Sequence, residues 1–325
     1  MPAIKISVII CTYNRARNVA ALLECLLAQE AQDGSFEILV VDNNSKDDTK
    51  ETIESYTPKF HGGLRYLFEP QQGKSFALNL GIRESRGEIL TFTDDDCLLP
   101  SDYISRVNEV FQEYGDVDFM GGRILPHWGE VECPSWLAEV LFDNTAYEIG
   151  QERYWRRVFF RGPLAILDYG NEPARLDSSG KRYSSFLFYG PNMAIKKSAL
   201  DKIGGFATDR VVTQDTEMCQ RLVQAGMKGL YAPKVKVHHR VQAEKLTPEF
   251  YRRWYFQRGK FLGINGLAER KFYRSLAIQG GLILRTCLFF VKSLAARSAQ
   301  DKIYYRCRAF FHLAQIAQSA KKKLV

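Results

Sequence analysis

The sequence has no CxxC pair. Its seven cysteines, Cys11, Cys25, Cys97, Cys133, Cys219, Cys287 and Cys307, are odd in number and irregularly spaced, which argues against a disulfide framework and a structural zinc and in favour of buried thiols. It also lacks an apolar run of membrane-spanning length. Ser275 to Leu284 is uncharged for ten residues before Arg285 interrupts it, about half of the roughly 20 that a spanning helix needs. The opening MPAIKISVIICTYN has neither a basic n-region nor an apolar h-region, so a cytoplasmic N-terminus is expected. No GxGxxG follows the first apolar run and GxxxxGK[ST] does not occur, which speaks against a dinucleotide oxidoreductase and a P-loop nucleotidase. Acidic residues are scarce at one end only: residues 240–325 carry 18 Lys/Arg against 4 Asp/Glu, while the whole 325-residue chain is +8.

What is present in the front part is alternation. Short β-branched runs (IKISVIICTY, FEILVVDNNS, GLRYLFEP, GEILTFTDDD) are separated by stretches with helical spacing, such as RNVAALLECLLAQ and KSFALNLGIRES. Strands alternating with helices predict an α/β fold with a parallel sheet, whose ligands sit at the carboxyl ends of the strands. Each run ends in polar residues: Thr12 to Arg15, Asp42 to Asn44, QQGKS, and the three aspartates Asp94, Asp95 and Asp96. An aspartate at a strand end commonly caps a turn. Three adjacent carboxylates repel one another unless a cation offsets them, and hard divalent cations prefer such oxygen ligands together with substrate phosphates. The triplet alone is compatible with a solvated turn or with a metal-phosphate site.

Four blocks in order, SVIICTYNRARNVAALLECLLAQ, EILVVDNNSKDDT, GKSFALNLGIRESRGEILTFTDDD and YGPNMAIKKSALDKIGGF, resemble glycosyltransferase family 2, over about residues 4–240. The resemblance implies a GT-A fold: a mostly parallel central sheet flanked by helices, with a Rossmann-like nucleotide-binding half (1–122) and an acceptor-binding half (123–240). It implies sugar transfer from a nucleotide donor, with a UDP-sugar favoured, and inversion at the anomeric carbon. Thr12, Tyr13 and Arg15 would line the nucleotide pocket and Asp42, with Asn44 beside it, would bond the base or ribose. Gln72, Gly73 and Lys74 would close over the donor. Asp94 would contact the ribose and Asp96 would bind Mg²⁺ or Mn²⁺, with Asp95 the ligand in an alternative register and His239 completing the site. Asp215 aligns with the general base, preceded by Gln214 where the family carries Glu. Gly190 and Asn192 fall in the block that contacts the donor sugar and acceptor. Trp128, Trp136, Tyr154 and Trp155 suit either stacking on an acceptor sugar or an aromatic core. A sugar nucleotidylyltransferase and an inactive glycan-binding relative are the competing readings; the first lacks its Gly-rich loop, and the second leaves Asp94, Asp96 and Asp215 without a purpose.

Residues 241–325 read as a basic, aromatic-rich helical extension, in YRRWYFQRGKF, SLAIQGGLILRTCLFFVKSLAARSAQDKIYYRCRAFF and the terminal KKKLV. Its charge calls for an anionic partner. With no nucleic-acid module in the sequence, an anionic membrane surface is expected, placing the protein in the cytoplasm at the inner face of the cell membrane near a glycan or lipid-linked acceptor.

Overall fold

The computed structural model describes residues 4–31, 35–61, 63–142, 159–176, 188–209, 214–267 and 272–321. Tyr154 and Trp155 lie outside them. The chain divides into two compact units, one formed by Met1–His127 with Ala165–Arg240 and the other by Trp128–Leu164 with Val241–Val325.

The first unit is built on one sheet. β1 (Ile6–Thr12) and β2 (Phe36–Asp42) are buried almost throughout, as expected of central parallel strands covered on both faces. With β3 (Leu64–Phe68) and β4 (Ile89–Asp94) they form the parallel array β3-β2-β1-β4. The intervening helices are α1 (Ala16–Leu27), α2 (Thr49–Tyr56) and α3 (Lys74–Glu84). α1 buries Val19, Leu22, Leu23 and Leu26, the i, i+3, i+4, i+7 stripe of an amphipathic helix.

Beyond β4 the sheet changes character. β5 (Cys97–Leu98) is only two residues long; α4 (Tyr103–Glu113) leads to β6 (Phe119–His127), and β7 is Ala174–Leu176. β8 (Met193–Lys196) inserts antiparallel between β4 and β6, followed by α6 (Lys197–Ile203), α7 (Gln214–Gln224) and the long β9 (Gly229–Arg240), α5 (Ser135–Phe142) belonging to the second unit. β9 runs parallel to β6 and carries β5 and β7 on it antiparallel. A single apolar core, including Phe92, Phe119, Phe188 and Tyr231, runs under all of this.

The second unit collects α5 with α8 (Pro248–Leu267), α9 (Phe272–Ala295) and α10 (Ala299–Lys321). Its interior is aromatic. Phe159 stacks on Tyr255 at 3.9 Å, and Trp136 meets Phe160 and Tyr251 edge-on. The buried Tyr251 and Tyr255 hydroxyls donate to the carbonyls of Phe160 (2.8 Å) and Phe159 (2.7 Å), so each ring is buried with its polar end satisfied. Trp136 is therefore part of a core. Among the described residues no helix is long and apolar enough to cross a membrane.

Candidate active site

The parallel register sets Thr12 opposite Asp42 and Cys11 opposite Asp94, so the polar strand ends form one rim. After Asp94 the chain turns at Asp95 and Asp96 into β5, whose antiparallel pairing with β9 puts Cys97 opposite His239. His239 Nε2 consequently lies 3.2 Å from Asp96 Oδ1. Asp94, Asp96 and His239 each offer a ligand atom, all within 4.8 Å of one another, with Asp96 and His239 buried. Two carboxylates and an imidazole are donors suited to Mn²⁺ or a similar divalent cation, so these side chains fit the expected metal. Strand alternation decides between the two histidines: His239 shares the buried face of β9 with Val235 and Val237, while His238 falls on the other, half-buried face.

Asp95 turns away from this trio. Its Oδ2 accepts the Thr12 hydroxyl at 2.8 Å and its Oδ1 accepts from Arg15, also at 2.8 Å. Arg15 reaches Asp96 Oδ2 as well, at 3.1 Å. Burial pushes the Asp95 carboxyl up to about 6, against the pull of Arg15 and with the push of Asp96. The alternative register, with Asp95 as the ligand, is thus not the one this geometry favours, and Asp94, expected at the ribose, stands with Asp96 and His239.

Lys74, the first residue of α3, pairs with Asp94. Burial opposes its charge, but the Asp94 carboxylate more than offsets this and holds the ammonium above the ordinary lysine range. Lys74 Nζ lies 3.8 Å from where a Cβ on Gly190 would stand. The Gly190 N–H donates to Asp215 Oδ2 at 3.1 Å, and Asp215 Oδ1 accepts the next backbone N–H, of Thr216, at 2.7 Å. Asp215 sits in the first turn of α7, beside Gln214. A continuous line of groups therefore runs from the Asp96–His239 pair through Asp94, Lys74 and Gly190 to Asp215. Beneath it the Cys11 thiol is pushed up to about 12, first by burial, with Lys74 opposing and Asp94 adding to the shift, so it is a neutral part of the floor.

On the β2 side Asp42 is buried, accepting from the Ser45 N–H (2.9 Å) and the Tyr66 hydroxyl (3.0 Å). Tyr13 is 45% exposed on the rim. Asn44, at φ +68°, donates to the Pro70 carbonyl at 3.4 Å and accepts from Lys46 at 2.8 Å. The residue that organises this side is its neighbour Asn43, a polar strand-end residue to which the sequence assigns no particular role. The buried Asn43 amide donates to the carbonyls of Glu69 (3.1 Å) and Gln71 (2.7 Å) and accepts the Gly73 N–H (2.8 Å), while its own carbonyl accepts from the Gln72 side chain. Gly73 sits at φ +138°, a conformation that glycine alone adopts readily. Asn43→Ala is expected to cost about 1–3 kcal/mol of stability and to raise the donor KM while kcat changes less, as urea unfolding and steady-state kinetics would show. The available signal was an Asn at the end of a buried strand, which reads equally as a turn residue.

Asn192 has an internal role in the fold. Expected to face a sugar, it is fully buried, and its amide donates to the carbonyls of Arg123 (2.9 Å) and Val235 (3.1 Å). The β6–β9 register shifts between Gly122 and Arg123, where Pro233 interrupts β9 without an N–H to offer. Asn192 fills that gap, and a Cβ on Gly122 would come within 2.2 Å of its Nδ2. Removing the amide in Asn192→Ala orphans the buried Val235 carbonyl and the part-buried Arg123 carbonyl, so a loss of about 1–3 kcal/mol is expected in chemical denaturation, with the donor KM of the remaining folded protein unchanged.

Comparison with known proteins agrees with this architecture. Residues 7–204 match the family described as "Glycosyl transferase family 2". A glycosyltransferase of Haloferax volcanii, AglE, is 35% identical over 119 residues, 37% of this chain and 39% of that protein; the matched stretch is thus well under half of that relative. The succinoglycan biosynthesis protein ExoM of Rhizobium meliloti is 22% identical over 78% of this chain and 72% of its own. Among solved structures, the mannosyltransferase PcManGT of Pyrobaculum calidifontis, in complex with GDP-Man and Mn²⁺, aligns with a TM-score of 0.61 at 17% identity over 98% of this chain and 88% of its own. TarS 1–349 of S. aureus in complex with UDP aligns with a TM-score of 0.56 at 16% identity, over 99% and 92%. With the family match covering more than half of its length, the chain belongs to glycosyl transferase family 2.

Proposed function

We propose that the protein is an inverting, metal-dependent glycosyltransferase that moves a sugar from a nucleoside-diphosphate sugar to a hydroxyl of a glycan or lipid-linked acceptor, in cell-surface polysaccharide or glycolipid synthesis. The observation that carries this reading is the line of groups from Asp96 and His239 through Asp94 and Lys74 to Asp215, laid along the carboxyl rim of a parallel sheet. Asp94, Asp96 and His239 would hold Mg²⁺ or Mn²⁺, which would supply Lewis-acid stabilisation of the leaving diphosphate. Lys74 adds a second positive charge to the same phosphates. Tyr13 offers a ring to the base, Asp42 with Tyr66 marks the base or ribose position, and Arg15, Thr12 and Asp95 form a fixed lattice beneath. Asp215 takes the proton of the acceptor hydroxyl as its oxygen attacks the anomeric carbon opposite the leaving group, so that one displacement inverts the centre.

UDP-sugars are the favoured donors, in keeping with the UDP in one structural relative; GDP-Man in another makes a guanosine donor the comparison to include. The basic charge of the helical unit supports a peripheral position at the inner face of the membrane, where a lipid-linked acceptor would be presented. Inversion is tested without knowing the acceptor, because water can replace it slowly. With Mn²⁺ and a UDP-α-hexose, proton NMR of the released sugar before mutarotation shows the β-anomer first if the reading holds; the α-anomer first would overturn the single displacement.

A further inference from the structure

In α9 apolar residues stand on the outward side as well as on the inward one, where two hydroxyls are buried among them. Between residues 280 and 295 the buried positions include Thr286 (7% exposed) and Ser293 (2%), whose hydroxyls are absorbed by bonds to the helix's own carbonyls at Leu282 and Phe290, both 2.8 Å. This side packs on α10, where Phe289 stacks against Tyr305 and His312 and Phe290 meets Phe310. The outward side carries Ile283, Leu284 (71% exposed), Leu288, Val291 (62%) and Leu294 (79%). At 100° per residue, Leu284, Leu288 and Val291 form a single stripe, with Ile283 and Leu294 beside it. Scattered surface leucines need no explanation, but a contiguous stripe of this kind marks an interaction site.

The charge beside the stripe indicates what covers it. Arg285 and Lys292, both exposed and seven residues apart, run along one flank of the same helix face, and exposed Arg297 follows its end. Residues 240–325 carry 18 Lys/Arg against 4 Asp/Glu. No described helix is long and apolar enough to cross a bilayer. An apolar stripe with basic side chains on its flank and no spanning capacity matches a helix that lies in the headgroup boundary, its leucines among the acyl chains and its cations at anionic headgroups.

We infer that the outward face of α9 is the membrane-docking surface of this protein and that its occupant is an anionic lipid bilayer. Leu284, Leu288, Val291 and Leu294 insert, while Arg285 and Lys292 contact the headgroups. The inference rests on the membrane reading given above and is independent of the catalytic one. It goes beyond that reading by assigning the contact to one helix face rather than to the charge of the whole tail.

The test is co-sedimentation of the full chain with vesicles of phosphatidylcholine alone or mixed with phosphatidylglycerol. Binding to the anionic vesicles is expected, weakening as salt is raised. Leu284→Asp with Val291→Asp should lower it by more than about tenfold, the loss of two inserted apolar side chains. Arg285→Gln with Lys292→Gln should lower it about 25-fold, from about fivefold per basic residue. All four side chains are exposed and, among the described residues, only Lys292, whose Nζ lies 5.7 Å over the Tyr305 ring, has an aromatic partner, so a melting temperature within a few degrees of the wild type is expected and checks that the fold is kept. Wild-type binding left untouched by both pairs would overturn the assignment to α9 and leave membrane attachment to another surface. No binding by the wild type would overturn the membrane reading itself. A dimer in sedimentation velocity that the Asp pair dissolves, without vesicle binding, would overturn it in favour of a second copy as the occupant. Nucleotide-dependent stabilisation, measured on the same preparations, reports on the catalytic reading separately.

Discussion

Asp215→Asn is expected to lower kcat by about 10²–10⁴-fold, the usual contribution of a positioned general base, with the donor KM nearly unchanged and only a small fall in melting temperature. The amide keeps the shape of the carboxylate and one acceptor oxygen, which can serve the Gly190 N–H now bonded to Oδ2 at 3.1 Å, while the Thr216 N–H now bonded to Oδ1 at 2.7 Å loses its side-chain acceptor, at a cost of about 1 kcal/mol. What the variant loses beyond that one bond is the ability to take a proton. A structural role for Asp215, as a first-turn partner of α7, would show the opposite pattern, with lost stability and modest loss of turnover. Donor hydrolysis and transfer should fall together, because both need the nucleophile deprotonated.

The second large effect is expected at the metal trio. Asp96→Asn and His239→Ala should each weaken divalent-dependent binding of a nucleoside diphosphate by at least about 100-fold, the upper end of what even outer-sphere changes produce at metal sites, in isothermal titration with Mn²⁺ and again with a chelator. Asp95→Asn is the informative contrast. Its oxygens are spent on Thr12 and Arg15, so it should cost stability, through loss of the partner of Arg15, more than it costs the metal dependence of binding. Equal loss in Asp95→Asn and Asp96→Asn would mean that the register of the triplet differs from the one described above.

The parts that could be read from the sequence are those whose determinants are local. β1 to β4 are apolar runs buried along nearly their whole length, and the helices between them show the 3.6-residue spacing that sequence displays directly, so the parallel array and its polar rim followed from pattern. The remainder depends on pairing between distant segments. Nothing in MAIK says that β8 enters antiparallel between β4 and β6, and nothing in CL says that β5 pairs with β9 and brings His239 to Asp96. The ambiguity over Asp95 and Asp96 had the same origin: adjacent carboxylates look alike until the turn between β4 and β5 sends them in different directions. The internal bonds of Asn192 were not legible because the carbonyl of Val235 that it reaches lies 43 residues ahead, in a strand whose register shift no local signal reveals. Trp136 fitted a sugar platform and an aromatic core equally well by composition, and its neighbours Phe160 and Tyr251 decide for the core.

The central claim is that this rim binds a nucleoside diphosphate through a divalent cation held by Asp94, Asp96 and His239. Thermal unfolding of the purified protein with UDP, GDP, CDP and ADP, each with Mn²⁺ or with a chelator, tests it most directly, since a ligand that binds only the folded state at about 100 times its Kd adds about 2.7 kcal/mol. A rise in Tm is expected with one diphosphate, UDP favoured, that requires Mn²⁺ and disappears in Asp96→Asn. A rise that is the same with the chelator, or that persists in Asp96→Asn, would contradict it.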